Sequence, residues 1–168
     1  MGEVTKDGEM HLTRTETMLT EEGSECSRII PKGTLVITNS GATLGVPKIL
    51  SIKGCANDGI VAFLELKRNV SKEFLYYYLT SLTNNLRDRI KQGSGQPNLN
   101  TEIIKALPVP LPDEDEQKAI VVFLKFEVAR LDKLSSTVEL AIERLQEYRA
   151  ALINAAVTGK IDVRKAIS

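Results

Sequence analysis

The stretch DEDEQKAIVVFLKFEVARLDKLSSTVELAIERLQEYRAALINAAVT, Asp113 to Thr158, decides the fold of this chain. It holds no glycine and no proline, and Leu124, Leu131, Val138, Leu145 and Leu152 recur every seven residues. Val128, Ser135, Ile142 and Arg149 stand four residues after each of the first four, with Val121 before them and Ala156 after. Apolar positions alternating by four and three form the seam of a helix that meets another helix along its length. Leu134, Ala141, Tyr148 and Ala155 widen the stripe on one side, while Ser135 and Arg149 interrupt it. Asp113 and Glu116 make a capping-box-like pair at the start, with a carboxylate in place of the usual hydroxyl. The prediction is a single helix of roughly 40 residues within 113–158, about 60 Å long at roughly 1.5 Å per residue. A small neighbouring domain cannot cover so long a stripe, so a second helix is expected to do so.

Upstream of it, Leu107-Pro108-Val109-Pro110-Leu111-Pro112 must be extended, because alternating prolines forbid both helix and central strand. A short helix around Glu102 to Ala106 precedes this strap, capped by Asn100 or Thr101. Phe74, Leu75, Tyr78, Leu82, Leu86 and Ile90 recur at helical spacing, which predicts a helix over Lys72–Lys91 with Ser71 as N-cap and Gly93 at its end. The polar loop 93–100 follows. Before that helix, Thr34 to Thr38, Val46 to Ile52 and Ile60 to Leu66 read as strands, separated by turns at Asn39-Ser40-Gly41 and Asn57-Asp58-Gly59. Residues 1–28 are polar and acid-rich, a loop or arm with one turn of helix around Thr17 to Glu22. The expected fold is α+β: a small, mainly antiparallel sheet with helices, then one long helix.

Bulk properties narrow the function classes. With 168 residues, 42% of them hydrophobic, the chain has room for one domain with a core and not for two full ones. Lys plus Arg and Asp plus Glu both total 22, so any nucleic-acid contact must rest on a local basic face rather than on net charge. Cys26 and Cys55 lack C-x-x-C spacing, and His11 is the sole histidine, which leaves no Cys/His zinc site. Two free thiols in a reduced cytoplasm are the simple reading. The start is polar and the apolar runs are short, so neither a signal peptide nor a membrane span is expected.

Several segments, taken in order, carry a family resemblance. They are Ile30-Pro31-Lys32-Gly33-Thr34-Leu35, Asn39-Ser40-Gly41-Ala42-Thr43-Leu44-Gly45, Phe74-Leu75-Tyr76-Tyr77-Tyr78-Leu79 and the loop Gly93 to Asn100. After them come Pro108-Val109-Pro110-Leu111-Pro112 with Glu116-Gln117, then Glu143-Arg144-Leu145 and Ala155-Ala156-Val157-Thr158-Gly159-Lys160-Ile161-Asp162. In this order the chain resembles the specificity subunit of type I restriction-modification enzymes, from about Ile29 to Val163, and its ending is similar to that subunit's C-terminal half. The resemblance implies a target-recognition domain at 1–112, a spacer and dimerisation helix at 113–158 in antiparallel coiled-coil-type pairing, and a tail at 159–168. It implies a non-catalytic, cytoplasmic protein without cofactor or metal that reads one part of a split site in double-stranded DNA. The implied partners are methyltransferase and restriction subunits and a second specificity half, or a second copy through the long helix. It also implies that the recognition domain's N-terminal, Trp-containing strand is absent; the sequence has no Trp.

Within that reading, polar loop residues read bases, and Lys and Arg hold phosphates. The hairpin offers Asn39, Ser40, Thr43 and Lys48. The glycine-rich loop offers Gln92, Ser94, Gln96, Asn98 and Asn100, and Arg87, Arg89 and Lys91 end the helix before it. The plainer account is that Asn39 and Gly41 make a turn, that Gln96, Asn98 and Asn100 brace the sheet, and that the cations complement a helix C-terminus. Gly93-Ser94-Gly95 lacks the context of a dinucleotide loop. Tyr76, Tyr77 and Tyr78 point three ways on a helix, so core packing outweighs base stacking for them. The helix-pairing set is Leu124, Val128, Leu131, Val138, Ile142, Leu145 and Leu152. From another class, Asp58, Glu65 and Lys67 match the carboxylate–carboxylate–lysine order of metal-dependent nucleases, but Asp58 lies in an Asn-Asp-Gly turn that geometry explains better. The alternative to a DNA reader is an assembly module that dimerises through the long helix and no longer binds DNA specifically.

Overall fold

The computed structural model describes residues 9–40, 43–56, 58–91 and 99–165, the side chains at 89–91 excepted. Its elements are β1 (His11–Leu12), α1 (Glu21–Glu25), β2 (Arg28–Ile30), β3 (Leu35–Thr38), β4 (Pro47–Leu50), β5 (Gly54–Ala56) and β6 (Ile60–Phe63). They continue with α2 (Lys72–Lys91), α3 (Thr101–Lys105), α4 (Glu114–Val157) and a 3₁₀ turn at Val163–Lys165. The fold is α+β as expected, with a small mixed sheet followed by one long helix.

A four-stranded sheet runs in the order β1-β4-β3-β6, and β2 pairs with β5 in a separate ribbon. β3 pairs antiparallel with β4 and β6, placing Leu35 opposite Ile49 and Phe63, whereas β1 lies parallel to β4. All four residues of β3 and all four of β4 are buried, so both faces of the sheet are covered. Period-two alternation sends Leu35, Ile37 and Ile49 to one side, where Leu75, Tyr76, Leu79 and Leu86 of α2 meet them. Val36 and Leu50 take the other side with Leu12, Ile30 and Ile60.

Two expectations need correction. The arm before Arg28 is not all loop, because Met10 and Leu12 carbonyls accept from Ile49 and Ser51 amides at 2.9 Å and add β1 to the edge of β4. A two-residue strand has no period to read, and the edge of β4 selects it. The helical turn in that arm covers Glu21–Glu25 rather than Thr17–Glu22, since Thr20 is its N-cap and accepts from the Gly23 amide.

The start of α4 is built into the sheet domain. Asp113 Oδ1 accepts from the amides of Asp115 (3.1 Å) and Glu116 (2.9 Å), which is the cap the sequence implies. Gln117, 1% exposed, accepts from the Ser71 amide (2.8 Å) and donates to the carbonyls of Asn69 and Pro112, both at 2.9 Å. One side chain thereby ties the entry to α2, the end of the proline strap and the first turn of α4. The Tyr78 hydroxyl donates to the Pro108 carbonyl and holds the other end of the strap. At the far end, Gly159 (φ +73°) closes α4, with its amide on Ala156 and that of Lys160 on Ala155, the paired bonds of a Schellman motif. The chain divides into two compact units, Met1–Val121 and Val122–Ser168, so Gln117 and Val121 belong to the first. Gln117→Leu removes three part-buried hydrogen bonds to the backbone of Asn69, Ser71 and Pro112 and is expected to lower the stability of the first unit by about 1–3 kcal/mol. Urea unfolding followed by tyrosine fluorescence measures the loss.

Candidate nucleic-acid interface

The hairpin between β3 and β4 is assembled from hydroxyls and backbone. Thr38 is fully buried; its Oγ1 donates to the Thr43 carbonyl (2.6 Å) and accepts from the Val46 amide (2.9 Å). Gly45 turns the chain with φ +85°, a conformation an L side chain resists, and its amide donates to the Thr38 carbonyl (2.8 Å). α2 clasps this turn from one side. Thr83 Oγ1 donates to the Gly45 carbonyl and Arg87 Nε to the Leu44 carbonyl, both at 2.8 Å. Arg87 is half-buried, and its Nη atoms make no hydrogen bond among the described residues. It is a cation fixed at Nε with its fork still to be used.

Asn39 ties three segments together. Its amide donates to the Gly59 carbonyl (3.0 Å), its carbonyl accepts from the Leu99 amide (2.6 Å), and Nδ2 donates to the Asp58 carbonyl (2.9 Å). Asn39 Oδ1 is buried with no partner among the described residues. The end of β3, the turn before β6 and the chain returning after residue 98 therefore meet at one end of the sheet, beside the hairpin that Arg87 holds. Ser40, half-buried, lies next to Asn39, and Thr43 supplies the carbonyl that Thr38 uses.

Lys48 is not part of this surface. It is 1% exposed and its ammonium donates to the Glu9 carbonyl, because its register opposite Val36 sends the side chain inward. Asn100 caps α3, its Oδ1 accepting from the Ile103 amide (2.8 Å), one of the two caps the sequence offers. The side chains of Arg89 and Lys91, together with Gln92, Gly93, Ser94, Gln96 and Asn98, lie outside the described residues. Of the tyrosines, Tyr76 is buried, while Tyr77 and Tyr78 are half-buried against the same core. β6 ends at Phe63, so Glu65 and Lys67 do not share a strand face as the nuclease-like reading required. Cys26 and Cys55 are exposed free thiols. Among the described residues no helix is long and apolar enough to cross a membrane.

In the second unit, Val128, Leu131, Val138, Ile142, Leu145 and Leu152 are all exposed, Leu145 by 67%, and Leu124 is half-buried. Sequence reasoning missed Gln117, Thr38 and Thr83. The signal for Gln117 was its place seven residues before Leu124 and four before Val121, on the stripe itself.

A family model described as the Type I restriction modification DNA specificity domain matches residues 3–146. The chain belongs to this family. Members are the specificity part of the restriction enzyme, which is not its catalytic part. The type I restriction enzyme MjaIX specificity subunit of Methanocaldococcus jannaschii is 34% identical over 121 residues, covering 70% of this chain and 27% of that protein. The MjaVIII specificity subunit of the same organism is 25% identical over 122 residues, 72% of this chain and 28% of its own length. The chain thus spans little more than a quarter of these relatives. Two solved structures share the fold. One concerns complex assembly and conformational transition of a type I R-M system (TM-score 0.61, 23% identity, 77% of this chain and 31% of that one). The other is the HsdS subunit of Thermoanaerobacter tengcongensis (TM-score 0.53, 22% identity, 79% and 32%).

The inward Lys48 separates fold from charge in this specificity domain. Lys48→Met is expected to change stability while leaving the slope of log affinity against log salt for duplex DNA unaltered. Arg87→Ala is expected to lower that slope by about one unit. Fluorescence polarisation at several salt concentrations reads both.

Proposed function

We propose that the chain reads one part of a bipartite site in double-stranded DNA within a type I restriction-modification complex and docks its methyltransferase and restriction subunits. The recognition domain is 1–112, the spacer and dimerisation helix 113–158 and the tail 159–168. One coincidence carries the reading: a chain matched by the specificity-domain family also holds a 44-residue helix with an exposed apolar stripe. That helix is about 66 Å long. A rod of that length is commensurate with holding two DNA-reading domains one to two turns apart, at about 34 Å per turn.

The residues proposed to read DNA are Asn39, Ser40, Thr43 and Arg87, with Arg89, Lys91, Ser94, Gln96 and Asn98 as further candidates from the sequence. The anchored Arg87 supports a phosphate-gripping role, because its fork needs no rearrangement to meet an anion. Pairing joins Leu124, Val128, Leu131, Val138, Ile142, Leu145 and Leu152 antiparallel to the same stripe of a second copy.

Two measurements test this. Binding to a pool of mixed duplexes is expected to enrich a bipartite sequence; weak, sequence-independent binding with a steep salt slope would replace the reading with a dimerisation module that has lost specific recognition. Leu145→Asp is expected to weaken self-association at least about tenfold in sedimentation equilibrium, since it puts a charge into a buried seam. An unchanged profile removes the pairing.

A further inference from the structure

A hydroxyl inside a helix usually turns back onto the carbonyl four residues earlier. Thr80 of α2 does so, donating to Tyr76 at 2.8 Å, and Ser136 and Thr137 of α4 do the same at 3.0 and 2.8 Å. Thr83 departs from this habit. Its Oγ1 lies 2.8 Å from the Gly45 carbonyl oxygen and 3.3 Å from that of Leu79, so the shorter bond crosses to the β3–β4 hairpin. Four residues on, along the same helix face, Arg87 Nε donates to the neighbouring Leu44 carbonyl at 2.8 Å. Two consecutive carbonyls of one turn are thereby held by two side chains of one helix. Thr38 holds the opposite flank, its carbonyl accepting from the Gly45 amide and its hydroxyl from the Val46 amide. The approach to the helix is close, since a Cβ at Gly45 would stand 3.6 Å from the Cα and the carbonyl oxygen of Thr83.

We propose that Thr83 is a positioning residue for base recognition: its hydroxyl, with Arg87 Nε, fixes the Leu44 and Gly45 carbonyls and so the pose of the hairpin that carries Asn39, Ser40 and Thr43. The inference rests on the reading of duplex DNA by that hairpin, and adds to it a residue that touches no base. Thr83 is uncharged and its hydroxyl hydrogen is engaged within the protein. It therefore acts on discrimination between sequences and not on the attraction of phosphates. A hydrogen bond to a base edge tolerates a narrow range of distance and angle. An ionic contact to phosphate falls off slowly with distance, and the counterions it releases depend on charge rather than pose. A hairpin freed from α2 thus loses sequence preference before it loses non-specific affinity.

The full chain is compared with its Thr83→Val, Thr83→Ser and Thr80→Val variants. Each is titrated, over a salt series, with the bipartite duplex that the parent enriches and with a scrambled duplex of the same length. Thr83→Val keeps the volume and the methyl group but sets a second methyl against the Gly45 carbonyl. It is expected to bind the enriched duplex at least about tenfold more weakly, with helicity, scrambled-duplex affinity and salt slope as in the parent. Thr83→Ser keeps the hydroxyl and should regain the parental preference to within about threefold, and Thr80→Val should match the parent. Amide exchange at Gly45 and Val46 is expected to quicken at least about tenfold in Thr83→Val alone. The inference is overturned if Thr83→Val discriminates as the parent does, weakens on both duplexes equally, or leaves those two amides unchanged. It is overturned as well if Thr83→Ser or Thr80→Val behaves like Thr83→Val. A parent that enriches no duplex fails the recognition reading itself, and this inference with it. A discriminating parent beside an equally discriminating Thr83→Val fails this inference alone.

Discussion

A helix can satisfy its own backbone but cannot cover its own side chains. That constraint organises this chain. Over the first two turns of α4 the stripe of the heptad is spent within the sheet domain, where Gln117 and Val121 are both buried. From Leu124 onward the same stripe is carried by side chains that are mostly exposed. Each exposed Leu, Ile or Val that moves from water into a seam contributes up to roughly 1.5–3 kcal/mol before ordering costs are counted, and the stripe has six such positions, Val128, Leu131, Val138, Ile142, Leu145 and Leu152. Burial of this stripe is the driving force behind the helix pairing proposed above.

The root of the helix explains why its first turns are so heavily tied. Gln117 makes three hydrogen bonds to backbone groups of loop and strap, and Tyr78 holds the strap at Pro108. A buried glutamine is costly unless it is satisfied, and here amide oxygen and nitrogen both are. The Pro-x-Pro-x-Pro strap suits this task, because it is stiff and offers carbonyls with few amides to satisfy. At the opposite end of the sheet a similar economy applies: Thr38 and Asn39 spend their polar groups on shaping a hairpin, and Arg87 is fastened by one nitrogen with the others in reserve.

The long elements were legible because their signals repeat. Lys72–Lys91 and the long helix follow from apolar spacing and from their caps, and β3, β4 and β6 from β-branched runs between turns. The short ones were not. β1, β2 and β5 have two or three residues each, fewer than any period needs, and they exist because a neighbouring edge offers hydrogen bonds. At the candidate interface, residue type singled out Asn39 and Arg87, which the fold brings to the same end of the sheet, but it could not tell Lys48 from a surface lysine. Strand alternation decides that, and the decisive partner, Glu9, sits 39 residues away in an arm that read as loop. Gln117 was hidden for the opposite reason, since a polar residue in a first helical turn normally faces water.

The proposed cover for the seam of α4 is the same stripe of a second copy. Amide hydrogen exchange across residues 124–157, followed as protein concentration is raised, tests this most directly. Protection that climbs with concentration along the whole stripe is the predicted result. Fast exchange that stays the same at every concentration would contradict it.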